Sequence, residues 1–166
     1  MKIGQKHGTC QIANDNANGQ VVISGAKAAV EAAADAAQEM KVRKAVLLPV
    51  SAPFHCDLMA PAAEAMAEAL ADTTMKTPRV AVVNNVNAVA TCDPDQLKSD
   101  LVKQVTGRVR WRESIEWMAG DGQVELFAEP GTGKVLSGIL RRIVKGVQGV
   151  ALNGPESLEA FAKQYK

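Results

Sequence analysis

Ala45-Val46-Leu47-Leu48-Pro49-Val50-Ser51-Ala52-Pro53-Phe54-His55-Cys56-Asp57-Leu58-Met59 changes character twice within fifteen residues. Ala45 to Val50 is an extended apolar run and predicts a strand; Pro49 marks it as an edge or an ending, because proline cannot donate to a ladder. Ser51 to Cys56 is a loop. Asp57 then has the short polar side chain of an N-cap, opening a helix to about Leu70 whose apolar side holds Leu58, Met59, Met66 and Leu70. A strand that hands over to a helix through a short loop is the unit of α/β proteins. Such loops, outside the carboxyl ends of strands, are where these folds place functional groups.

The same alternation extends both ways. Toward the N-terminus, Thr9 to Ala13 and Gln20 to Ser24 are short extended runs around the polar turn Asn14 to Gly19, and Ala26 to Met40 is an alanine-rich helix. Toward the C-terminus, Val80 to Val83 predicts a strand. Asp93-Pro94 opens a helix through about Val105, and a second short helix carries Trp111, Ile115, Trp117 and Met118, with both tryptophans in the core or a crevice. Val124 to Ala128 and Val147 to Leu152 predict strands around a helix from Lys134 to Val144, and Pro155 to Tyr165 is a last helix with proline in its first turn. The order indicates an α/β layer architecture with a small hairpin-bearing unit at its front.

Composition excludes several classes. The chain has 166 residues, 47% hydrophobic and 22% charged, so neither a disordered tail nor a fibrous repeat fits. A net charge of +1 lacks the basic footprint of a nucleic-acid binder. No apolar run approaches the roughly 20 residues of a membrane-spanning helix, and the basic start Met1 to Gly8 has no apolar stretch behind it. A cytoplasmic protein is expected. Cys10, Cys56 and Cys92 are odd in number and widely spaced, which argues for reduced thiols and against a zinc site.

Few residues remain for chemistry near neutral pH. His55 is one of two histidines and sits in the strand-to-helix loop. Its neighbour Cys56 invites a Cys–His nucleophile reading, but adjacent side chains on an extended loop diverge, and packing is the simpler role. Glu129-Pro130-Gly131-Thr132-Gly133-Lys134-Val135 superficially resembles a phosphate loop; the glycine spacing fails, and Val135 offers no hydroxyl to magnesium, so a tight strand-to-helix turn is expected. Arg108-Val109-Arg110-Trp111-Arg112 reads either as a solvated face or as a docking patch for an acidic partner.

Five separated segments together carry a resemblance: Asn14-Asp15-Asn16, Gly19 to Gly25, Leu48 to Met59, Val83 to Val86, and Glu129 to Leu136 followed by Gly138. In type and order they resemble the malonyl-CoA:acyl carrier protein transacylases of bacterial type II fatty acid synthesis, C-terminal half only. The resemblance implies a serine acyltransferase in which the serine of a Gly-x-Ser-x-Gly elbow takes malonyl from coenzyme A and the thiol of phosphopantetheinylated acyl carrier protein receives it, without a further cofactor. It implies His55 as the base, Gln104 as the residue whose backbone carbonyl orients it, and Asn14 and Asn16 as residues lining the substrate cleft. Arg108, Arg110 and Arg112 become the candidate surface for the acidic carrier protein.

None of the six serines has glycine both two before and two after it, so the chain contains no nucleophile elbow. The expectation is therefore a fragment, inactive alone, that needs the missing half or self-association to cover its cut surface. By the resemblance, residues 1–8 are an unmatched leader, 9–50 an incomplete ferredoxin-like subdomain, and 51–166 the C-terminal part of a large α/β-hydrolase-like acyltransferase domain. Two rivals stand beside it: a catalytically inactive module that binds acyl carrier protein, and a hydrolase dependent on Cys56.

Overall fold

The computed structural model describes residues 1–165. In chain order the elements are β1 (Cys10–Ala17), β2 (Gln20–Gly25), α1 (Lys27–Glu39), α2 (Ala60–Ala71), β3 (Val82–Val83), β4 (Ala90–Thr91), α3 (Pro94–Thr106), α4 (Trp111–Ala119), β5 (Leu126–Pro130), α5 (Val135–Ile143), β6 (Gln148–Leu152) and α6 (Pro155–Gln164). The strands form three separate two-stranded sheets among the described residues: β1–β2 and β3–β4 antiparallel, β5–β6 parallel.

The hairpin is longer than its sequence suggests. Asn14 to Ala17 belongs to β1, and the turn shrinks to Asn18-Gly19, where Gly19 takes the left-handed φ of 74° that suits a residue without Cβ. Residue 109 lies along the other edge of β1: Val109 N–H donates to the Ala13 carbonyl (2.8 Å), and Asp15 N–H donates to that of Val109 (2.9 Å). These bonds hold the Asn14–Ala17 segment extended, overriding its turn-like composition. Alanines on α1 let that helix lie close to the hairpin, and Cys10, Ala29 and Ala33 form a small core with Ile23 and Ala26 around it. The first eight residues pack here too. Gly4–His7 is a 3-10 turn so close to α1 that a Cβ on Gly4 would come within 2.4 Å of the Ala29 carbonyl oxygen.

Other elements follow their local chemistry. Asp93 caps α3, its Oδ1 accepting from the amides of Asp95 (2.9 Å) and Gln96 (3.4 Å), with Pro94 in the first turn. Asp57 does not cap α2. It opens a 3-10 turn (Asp57–Met59) that leads into the helix, whose cap position is Met59 with no side-chain bond. The expected strand Ala45–Val50 is irregular, because no neighbouring strand offers it a ladder. It exposes Val46, Leu47, Leu48 and Val50 by half or more of their surface.

The chain presents 11,090 Å² to solvent. A typical folded monomer of 17.5 kDa presents about 7,900 Å². The excess is roughly 3,000 Å².

Candidate active site

His55 occupies the loop between the irregular 42–50 segment and α2. It adopts a φ of 59°, a left-handed conformation that costs a non-glycine residue on the order of 1 kcal/mol and persists where surroundings enforce it. Cys56 provides one restraint. Its side chain is fully buried and its Sγ donates to the Pro53 carbonyl (3.1 Å), so the thiol is engaged within the loop. The second restraint is on the ring. Nδ1 of His55 lies 3.0 Å from the backbone carbonyl oxygen of Gln104 in the last turn of α3. A carbonyl only accepts, so the bond requires the proton on Nδ1 and leaves Nε2 of the neutral imidazole with a lone pair to take a proton. The third lies beyond the ring: Gln11 of β1 donates through Nε2 to Asp57 Oδ2 and accepts the Asp57 amide on Oε1, both at 2.8 Å.

His55 opens onto a broad groove of about 460 Å³, lined also by Gln11, Ile12, Asp57, Thr106 and Arg108. Asn14 and Asn16 are half-buried on β1 outside that lining. The three arginines differ from one another. Arg108 is exposed and pairs with Glu113 Oε1 (2.9 Å). Arg110 also binds Glu113, through Nε and a second guanidinium nitrogen, and donates to the carbonyls of Val86 (3.0 Å) and Asn87 (3.1 Å). Arg112 grips Asp15 of β1 with two nitrogens and Glu116 with the third. Arg110 and Arg112 therefore tie α4 to the 84–88 loop and the hairpin, a role that neither a solvated face nor a docking patch anticipates. Hydrogen bonding from Arg110 holds the Glu113 carboxyl below the ordinary range, and Glu113 in turn raises the Arg110 guanidinium.

Two further clusters give no signal in the sequence. Asp100, 2% exposed, accepts from the amides of Asn84, Asn87 and Gln96 and from Lys103, fastening α3 to the loop after β3. Glu129 accepts from the amides of Leu136 and Ser137 and the Ser137 hydroxyl, so that a carboxylate of the chain itself caps the α5 N-terminus. Gly131 and Gly133 both take positive φ in the turn between them, as a tight strand-to-helix connection requires. Among the described residues no group of three or more His, Cys, Asp and Glu side chains could hold a metal ion, and no helix is long and apolar enough to cross a membrane.

No family model matches the chain. It is 46% identical over 147 residues to the malonyl CoA-acyl carrier protein transacylase of Haemophilus influenzae, covering 89% of this chain and 47% of that protein. The crystal structure of acyl-carrier-protein-S-malonyltransferase from Bartonella henselae superposes with a TM-score of 0.93 at 48% identity, over 98% of this chain and 52% of that one. A malonyl-transacylase solved in complex with its type II PKS acyl-carrier protein gives 0.91 at 36% identity, over 98% and 52%. The chain thus spans about half the length of the relatives it matches.

Proposed function

We infer that the chain belongs to the malonyl CoA-acyl carrier protein transacylase family and supplies the histidine half of that active site. The observation that carries this is the Nδ1 bond of His55 to the Gln104 carbonyl beside an open groove, together with homologues of that name. In this reading a serine from outside the chain attacks the malonyl thioester carbonyl. Nε2 of His55 takes the serine proton, and coenzyme A leaves as its thiol after receiving it. The phosphopantetheine thiol of acyl carrier protein then gives its proton to His55, attacks the acyl-serine and carries malonyl away, with the proton returned to serine. The Gln104 carbonyl keeps the ring in the tautomer each step needs and stabilises it when protonated. No resident cofactor enters.

The finer assignments are part of the same proposal. Residues 9–50, with β1, β2 and α1, form part of a ferredoxin-like subdomain, and residues from 51 onward form part of the large acyltransferase domain. Asn14 and Asn16 approach substrate from the hairpin once the cleft is complete, and the cytoplasm is its compartment. Acidic carrier protein meets the arginine surface chiefly at Arg108, the exposed member. The excess surface supports a need for a serine-bearing half, in the same or another polypeptide, or for self-association.

Malonyl transfer from malonyl-CoA to carrier protein, measured with and without a supplied serine-bearing half of a relative, tests the proposal. Activity is expected only from the mixture and is to vanish with His55→Ala; turnover by the chain alone refutes it.

A further inference from the structure

Two elements distant in sequence reach the 51–57 loop by hydrogen bonds among the described residues: α3, through the Gln104 carbonyl on His55, and β1, through Gln11 on Asp57; the turn into α2 adds local bonds from the Met59 and Ala60 amides to the Cys56 and Asp57 carbonyls. The Gln11 contact is two-pronged. One amide side chain both donates to the Asp57 carboxylate and accepts its backbone N–H, at 2.8 Å each, across 46 residues of sequence. It fixes the main chain two residues after His55, whose φ of 59° relaxes toward negative values once the chain on either side is released. The Cys56 side chain between them is sealed in the interior and bonds only to Pro53 of the same loop. Without Gln11, the segment after His55 has no polar tie to the hairpin, and the ring can swing away from the Gln104 carbonyl.

We propose that Gln11 is a positioning residue for His55: its two-pronged bond to Asp57 holds the loop backbone in the left-handed turn that keeps Nδ1 on Gln104 and presents Nε2 to the groove. The inference rests on the proposed role of His55 as the base, and it concerns geometry that can be read without turnover. Gln11 touches no reacting atom in this scheme and acts only through Asp57.

The test is nitrogen-15 NMR of the full chain, following solvent exchange of the His55 Nδ1 proton in the wild type, Gln11→Ala, Gln11→Glu and the double variant Gln11→Glu/Asp57→Asn. The double variant reverses donor and acceptor: the carboxamide introduced at position 57 donates to the carboxylate introduced at position 11, and the backbone amide of position 57 still finds an oxygen there. Exchange is expected to quicken about tenfold or more in both single variants, through loss of the bonds or through carboxylate repulsion, and to return toward the wild-type rate in the double variant. Melting temperatures separate this local release from general unfolding. Wild-type exchange in folded Gln11→Ala, or no recovery in a folded double variant, overturns the proposal. Because no transfer is measured, an error in the malonyl reading leaves the result interpretable.

Discussion

The hairpin unit and the segment that follows it are both rich in apolar residues and meet opposite fates. In β1, β2 and α1, Cys10, Ala13, Ala17, Ala29 and Ala33 are all buried, and residues 1–8 close over the unit. From 42 to 50 no residue is buried, and around β5 and α5 the large side chain of Val135 is 71% exposed. One region packs its small core within some 40 residues, with Val109 and Arg112 bracing the other edge of β1. The other leaves its apolar side chains exposed, which composition alone does not reveal. Parallel sheets are stable when both faces are covered and several strands contribute; β5–β6 is a parallel pair with a single crossover helix between its strands.

The largest expected effect separating the regions is in amide hydrogen exchange. Amides in the middle of α1 should exchange about a thousandfold or more slowly than those of residues 43–48, because one set sits in a packed helix and the other has no ladder. Comparable protection in both would erase the distinction. Adding a serine-bearing half should raise protection in 43–48 and leave α1 unchanged.

Glycine substitutions sharpen the contrast next. A Cβ on Gly25, at φ 154°, would lie 1.9 Å from the Thr9 carbonyl oxygen, so Gly25→Ala should cost roughly 3 kcal/mol or more in denaturant unfolding. Gly138, within α5, has open space around it, and Gly138→Ala should stabilise by about 0.5–1 kcal/mol through helix propensity. Equal effects would mean the two regions are equally tight.

The smallest effect is electrostatic. Hydrogen bonds from the Ser137 backbone and hydroxyl, and then from the Leu136 amide, hold the Glu129 carboxyl below its ordinary value of 4.5. A carboxyl lowered on folding stabilises the fold above its unfolded pKa and loses that contribution as pH falls through the folded one. Acidification from pH 6 toward pH 3 should therefore loosen the start of α5, and Glu129→Gln should flatten that part of the profile. Circular dichroism of the two proteins across this range checks it, and superimposable profiles would mean that the cap contributes nothing to the helix.

Where structure is set locally, the sequence is legible. The Asp93-Pro94 start of α3, the Pro155 start of α6 and the bounds of the alanine-rich α1 emerge within a residue or two of expectation, because caps and propensity act over short distances, whereas β1 runs four residues past its expected end, along Val109. Ala45–Val50 has a strand's composition without a strand's neighbour. Asp57 has a cap's side chain, but Gln11 claims it from 46 residues away. At the site, His55 and the Gln104 carbonyl come together as the resemblance implies. Gln11, Glu129 and the amide cradle of Asp100 depend on pairings over 4 to 46 residues that no single-sequence pattern encodes.

The difference in strand pairing also bears on the order of events during synthesis. An antiparallel hairpin closed by Asn18-Gly19 can form within microseconds of its second strand becoming free, and α1 follows at once in the chain. The parallel pair must wait for α5 to bridge β5 and β6, and then for whatever covers their faces. Domains emerge N-terminal part first. The hairpin and α1, with Gln11 on β1, are thus made before the His55 loop, and Val109 and Arg112, which brace the far part of β1, arrive after both.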